Sequence, residues 1–183
     1  GLRQLLELPN HLIARGEHLR AIREHGLVVQ SVHGDVTVRP AAATDRPEEI
    51  GAVDLIVFTV KTYDTDEAAA RARPLAGPGT VVLPLQNGVE SVSRLAPVFG
   101  AENVVGGAVW IVVSVVSPGV VRQESRVRRI VFGAADGRTT PRLTAIQGVL
   151  TAAGFEAEVT GRIDTILWTK LVFLASLAGL TSV

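Results

Sequence analysis

Residues 53–90, VDLIVFTVKTYDTDEAAARARPLAGPGTVVLPLQNGVE, decide how the rest of the chain is read. The stretch opens on an unbroken apolar run, VDLIVFTV, whose length and β-branched content fit a strand buried on both faces. From Thr62 to Ala76 the period becomes helical, with Asp64, Asp66 and Glu67 in the first turn, where the helix dipole favours negative charge. Gly77, Pro78 and Gly79 are expected to stop that helix before TVVLPL begins a second buried strand. Strand, crossover helix and parallel strand make a βαβ unit. In open α/β sheets ligands bind beyond the carboxyl ends of the strands, and Lys61 and Gln86-Asn87-Gly88 fall at those two ends. Either feature alone reads as a solvated loop residue or an ordinary turn. Together, at equivalent places on adjacent strands, they mark a candidate site.

Working outward, His11 to Arg15 reads as a short strand and Glu17 to His25 as a helix capped by Gly26. Val28 to Arg39 reads as a hairpin around His33-Gly34-Asp35, and Pro47 to Ile50 as a helical turn. Val89 to Phe99 is helical and ends at Gly100. Val104 to Val116 is β-rich, Ser117-Pro118-Gly119 is a turn, and Val120 to Glu124 with Arg128 to Phe132 are expected as antiparallel additions at the sheet edge. Thr140 to Ala153 is a helix with Pro141 in its first turn, and Phe155 to Val159 a last strand. Gly1 to Glu7 reads as the tail of a helix.

From Arg162 the chain is one apolar helix, RIDTILWTKLVFLASLAGLTSV, greasy on all sides and therefore expected to be buried. The apolar run after Lys170 is shorter than the roughly 18–20 residues that span a bilayer, so burial in protein is preferred and no membrane partner is expected. Lys170 is the only charge after Asp164. A lysine in such a setting either snorkels to a surface or sits in a cleft, where desolvation would lower its pKa and make it a better proton donor.

Composition narrows the function classes. The 183 residues, 47% hydrophobic and 20% charged, suffice for one domain and part of a second. Eighteen basic and eighteen acidic residues cancel, which argues against a nucleic-acid partner. With no cysteine there is no disulfide, thiolate metal site or cysteine nucleophile. His11, His18, His25 and His33 lack metal-ligand spacing and read as solvated or capping residues, so no metal is expected. Arg122, Arg126, Arg128 and Arg129 read as protection of a sheet edge, and Trp110 and Trp168 as packing residues. The absence of methionine suggests a missing start, and a cytoplasmic location is compatible with the composition.

Five motifs in order, ARGEHLRAIREHGL, VDLIVFTVKTYDT, LPLQNGV, SPGVV and ILWTKLVF, resemble the ketopantoate reductase (2-dehydropantoate 2-reductase) family over about Leu12 to Thr181. The resemblance implies an α/β chain with a Rossmann-type NAD(P)-binding domain over residues 1–160, its first strand and glycine-rich loop missing. Residues 161–183 would be the first helix of an all-helical substrate and dimerisation domain, compatible with a homodimer. It implies NADPH-dependent reduction of ketopantoate to pantoate, on the route to pantothenate and coenzyme A. Lys170 matches the catalytic lysine, which also touches substrate, and Asn87 the asparagine that contacts substrate near the nicotinamide. Lys61 and Gln86 fall on the cofactor side, and Arg15 matches the arginine that holds the 2′-phosphate. If Glu17 rather than Arg15 faces the ribose, NAD is the cofactor.

Leu174 and Ala178 occupy places where the family commonly has asparagine, and Asp64 one where it carries glutamine. Leu174 and Ala178 favour a bulkier or less polar 2-keto acid as an alternative substrate, whereas Asp64 would repel the cofactor phosphate. A non-catalytic NADP-binding protein of the same fold is a reading from another class.

Overall fold

The structure, a computed structural model, describes residues 10–181; the helical expectation for residues 1–7 lies outside them. In chain order the strands and helices are β1 (His11–Ile13), α1 (Gly16–His25), β2 (Leu27–Ser31), β3 (Val36–Val38), β4 (Ala42–Thr44), β5 (Val53–Phe58) and α2 (Thr65–Ala72). They continue with β6 (Ala76–Pro84), α3 (Ser91–Phe99), β7 (Gly106–Trp110), β8 (Val113–Ser117), β9 (Val120–Gln123), β10 (Arg129–Gly133), α4 (Pro141–Ala152), β11 (Glu156–Val159) and α5 (Ile163–Thr181).

The apolar run at the start of the deciding stretch is a strand for the reason expected. β5 pairs in parallel with β6, and β6 sends alternate side chains to two different cores. Val82 joins Ile56, Phe58, Leu75, Leu95 and Phe99 on the face covered by α2 and α3. Val81 and Leu83 join Ile130, Phe132, Leu143, Ile146 and Leu150 on the face covered by α4. A strand with helices on both faces has no side left to be polar. β6 continues into β7 territory through a parallel bridge between Val82 and Val104. β7 pairs antiparallel with β10, and β10 parallel with β11. β1 and β4 form a second parallel pair.

Four local expectations need correction. The crossover helix is shorter than Thr62 to Ala76: a 3-10 turn at Thr62–Asp64 precedes α2, and another at Arg73–Leu75 follows it. Pro74 lacks the N–H and crowds the preceding turn, so the α-helix ends at Ala72. Gly77-Pro78-Gly79 lies within β6 as a register slip, Val53 facing Ala76 but Leu55 facing Val81. The slip is held by buried Thr80, whose Oγ1 accepts from Gly77 N at 2.8 Å and donates to Val53 O at 2.6 Å.

The second correction concerns the hairpin β8–β9. It does not extend the main sheet; β9 pairs in parallel with β2, giving a separate sheet ordered β3-β2-β9-β8. The Ser117-Pro118-Gly119 turn docks on α1 instead, where Gly119 N donates to His18 Nδ1 at 3.0 Å, so His18 is a structural residue. Third, Arg122 and Arg129 sit on strands paired on both sides, so neither guards an edge.

The fourth is α5, which is buried along one side only. Ile163, Leu167 and Lys170 face the sheet, while Trp168, Val172, Phe173, Leu177 and Leu180 are exposed, so Trp168 is not the packing residue expected. By length and composition alone, Ile163–Leu180 could cross a membrane. Gly106 explains why α5 reaches β7: a Cβ there would lie 2.6 Å from Ile163 Cγ1, so only glycine lets the helix settle on the strand.

Candidate active site

Arg15, Lys61, Gln86, Asn87 and Trp110 lie at or just past the carboxyl ends of β1, β5, β6 and β7, and α5 brings Lys170 to the same edge. Of the eighteen lysines and arginines in the chain only Lys61 and Lys170 are lysines. Arginine fills every other cationic position, so an ammonium occurs only at this edge and its placement there is selective.

The central contact is between Lys170 and Asn87. Lys170 Nζ donates to Asn87 Oδ1 at 3.0 Å across 83 residues of sequence. Lys170 is 8% exposed, and its Nζ lies 5.6 Å from the centre of the Trp110 ring. Burial holds its pKa below the ordinary lysine value, because taking the ammonium out of water penalises the charged form. Asn87 is exposed, and Gly88 beside it has φ of 104° with open space where a Cβ would be. The loop therefore turns in a left-handed conformation that glycine tolerates and leaves its outer side clear.

Gln86 departs from the expected cofactor contact. Its side chain is 7% exposed and turned inward, with Nε2 donating to Val60 O at 2.8 Å and to Thr65 Oγ1 at 2.9 Å. Its Oε1 accepts from Ser91 Oγ at 3.2 Å. All of its hydrogen-bonding partners are protein groups that fix the turn carrying Lys61 and the loop carrying Asn87 relative to each other. Arg94 braces the same turn, donating from Nη1 to Thr62 O at 2.6 Å and from Nε to Asp66 at 3.0 Å. The arginine beside it holds the Asp66 carboxyl below its usual range. Gln86 was expected at the site, though as a cofactor contact; Thr65, Ser91 and Arg94 went unrecognised, and only the burial of Gln86 between two strand-end loops reveals that they brace it.

Lys61 is exposed at the start of its turn, where its carbonyl accepts from Asp64 N at 2.9 Å. Arg15 is exposed at the N-cap of α1, with Nη1 3.5 Å from Glu67 Oε1 on α2. Glu17, its rival for the ribose, is paired with Arg20 on the same helix. Asn87 and Lys170 are thus in direct contact, Lys61 is tied to them through Gln86, and Arg15 is tied to the α2 side through Glu67. Among the described residues no cluster of three or more His, Asp or Glu is placed to hold a metal ion.

A two-sided α/β sheet with cationic and amide side chains collected at its carboxyl edge defines a Rossmann-type protein. Residues 3–137 match the family described as Ketopantoate reductase PanE/ApbA, and the chain belongs to that family. It is 30% identical over 180 residues to a 2-dehydropantoate 2-reductase of Mesorhizobium japonicum, covering 87% of this chain and 55% of that one. It is 26% identical over 170 residues to an uncharacterized oxidoreductase, YkpB, of Bacillus subtilis, covering 93% of this chain and 55% of the relative. Among solved structures, a 2-dehydropantoate 2-reductase of Porphyromonas gingivalis W83 superposes with a TM-score of 0.88 at 34% identity, over 94% of this chain and 60% of that one. The chain therefore spans little more than half the length of the curated relatives it matches.

Proposed function

We propose that this chain carries the nucleotide-binding region and the proton-donating lysine of an NADPH-dependent 2-keto acid reductase, with 2-dehydropantoate as substrate. Residues 1–160 are the nucleotide-binding domain in this reading, and 161–183 the first helix of a helical substrate domain. The carrying observation is the Lys170–Asn87 contact at a strand-end crevice. Membership of the family supports the reaction type.

The donor set fits a phosphorylated dinucleotide. Arg15 at the end of β1 and Lys61 at the end of β5 offer two exposed cations, and the open Gly88 turn lets a flat ring approach Asn87. NADPH, when bound, supplies the hydride that the ketone carbon receives. As the C=O bond opens, negative charge collects on its oxygen, and the buried Lys170 ammonium stabilises that charge and then gives it a proton. The product is the 2-hydroxy acid, and Lys170 is left as a neutral amine until solvent reprotonates it. Asn87 takes part twice, its Oδ1 aiming the ammonium and its amide N–H being free to orient the substrate.

A specific observation favours a second substrate reading. Leu174 and Ala178 follow Lys170 at helical intervals of four, and Trp110 lies beside its ammonium, so the surface beyond the proton donor is largely hydrocarbon. A branched or aromatic 2-keto acid would suit that surface better than a hydroxylated one. Steady-state rates of the intact enzyme decide: a higher kcat/KM on 2-dehydropantoate than on 2-ketoisovalerate or phenylpyruvate upholds the first reading, and the reverse order replaces it.

Arg15 sets the expected cofactor preference. Arg15→Ala should weaken NADPH binding by roughly 10- to 100-fold, the loss of a charge-assisted phosphate contact, and leave NADH affinity within about twofold. Parallel titrations of the two cofactors by protein fluorescence check this; an equal loss for both would move the phosphate site elsewhere.

A further inference from the structure

Trp110 is half-buried at the end of β7, and two cations lie close to its ring, an arrangement that the reaction does not by itself require. Lys170 Nζ lies 5.6 Å from its ring centre, and Arg129 Cζ lies 5.5 Å from the same point. Arg129 faces Trp110 directly across the antiparallel β7–β10 pair. It is itself anchored by Glu158 at 2.7 Å and Glu156 at 3.7 Å on β11, and its buried Nε has no hydrogen-bond partner. A chain of contacts thus runs from the β11 carboxylates through Arg129 and the indole to the ammonium, and ends at Asn87.

A buried ammonium has three protons to place. Asn87 Oδ1 accepts one, and no other hydrogen-bond acceptor for Lys170 occurs among the described residues. The π face of an indole is the strongest of the aromatic faces for holding a cation and lies within the range at which that attraction acts. We propose that Trp110 is the positioning residue that, with Asn87, holds the Lys170 ammonium in the cleft, and that Arg129 holds the indole in place. This rests on Lys170 being the proton donor for its relevance to turnover, although not for its physical content.

The expected consequence is electrostatic. The indole favours the ammonium over the amine and so opposes part of the desolvation that depresses Lys170. The charged groups on elements packed against α5 are Arg129 on β10 and the two β11 glutamates paired with it. On α5 itself the nearest is Asp164, six residues earlier, and Asn87 is the polar neighbour from the β6 loop. Arg129 and its two glutamates together carry one net negative charge, which stays the same when Trp110 is replaced, so a comparison of Trp110 variants reads the ring alone.

Because the chain has only two lysines, each can be titrated separately in the intact enzyme by competitive acetylation across pH, read by mass spectrometry, with exposed Lys61 as internal standard. Trp110→Phe and Trp110→Leu both shrink an apolar side chain, but only the first keeps a π face. The ionisation midpoint of Lys170 should lie about 0.5–1 pH unit lower in Trp110→Leu than in Trp110→Phe, with Lys61 the same in both. Equal Lys170 midpoints in the two variants would overturn the proposal.

Should either variant fail to fold, Trp168→Phe leaves Trp110 as the only indole of these 183 residues, and Trp168 is exposed enough to replace. Its fluorescence should then change with the Lys170 midpoint and lose that step in the additional Lys170→Met variant. A step that survives without Lys170, or no step at all, would also refute the contact. These readouts follow the ammonium itself, so they stand or fall independently of whether turnover needs it.

Discussion

Replacing Lys170 by methionine is expected to lower turnover by about a thousandfold or more while leaving the dissociation constant for NADPH within a few fold. Methionine keeps the length and the apolar stem, so α5 can stay seated on Gly106. In the proposed reaction this removes the proton donor and the charge opposite the developing oxyanion, interactions that would act in the transition state. Single-turnover rates with 2-dehydropantoate and a separate cofactor titration check the two halves of the expectation. A variant that turns over like the parent would take proton donation away from Lys170, and a parent that binds NADPH without turning over would point to a cofactor-binding protein without this chemistry.

The same substitution has an expected effect on stability with the opposite sign. Lys170 has a lower pKa folded than unfolded, because burial penalises its ammonium. The unfolded chain therefore binds more protons in the window between the two values, and stability rises with pH across it. Below the folded value the whole penalty is present. Lys170→Met removes that penalty and should raise the thermal midpoint at neutral pH, by about 2–4 °C for each kcal/mol recovered in a chain of this size. With Lys170 as the proposed proton donor, activity should run the other way with pH and fall as pH rises through the depressed value, so that kcat/KM loses its alkaline limb earlier than a solvated lysine would allow.

What the sequence revealed and what it hid follow from the range of the interactions. The β5–α2–β6 unit was legible because two-sided burial writes itself as an unbroken apolar run, and Val82 and Leu83 do face opposite cores. Lys170 stood out because a charge within a greasy helix has few explanations. The Gly77-Pro78-Gly79 run misled because glycine and proline mark irregular backbone without saying whether it ends a strand or slips its register; Thr80 decides that, through a bond to Val53 twenty-seven residues away. The β8–β9 hairpin was placed at the wrong sheet because the Val28–Val120 pairing that holds it spans more than ninety residues. Gln86 looked like a ligand contact since local sequence shows a polar residue at a strand end and not the direction it faces.

That inward direction carries the second large effect. Gln86→Glu is almost isosteric, yet it is expected to cost about 2–4 kcal/mol, or roughly 4–16 °C in thermal midpoint, together with most of the activity. The amide donates to Val60 O and to Thr65 Oγ1, and a buried carboxylate would set acceptor against acceptor at the first of these and bring an uncompensated charge. The damage would spread to both loops, because the same side chain receives Ser91 Oγ at the start of α3. Lys61 and Asn87 would then lose their fixed separation without either being altered. Gln86→Leu, which leaves Val60 O unpaired but brings no charge, should be the milder of the two in stability and similar in lost turnover. If Gln86→Glu melted and reacted like the parent, the clamp would be ornamental, and the relative placement of the two loops would have to come from Arg94 and its bonds to Thr62 and Asp66 alone.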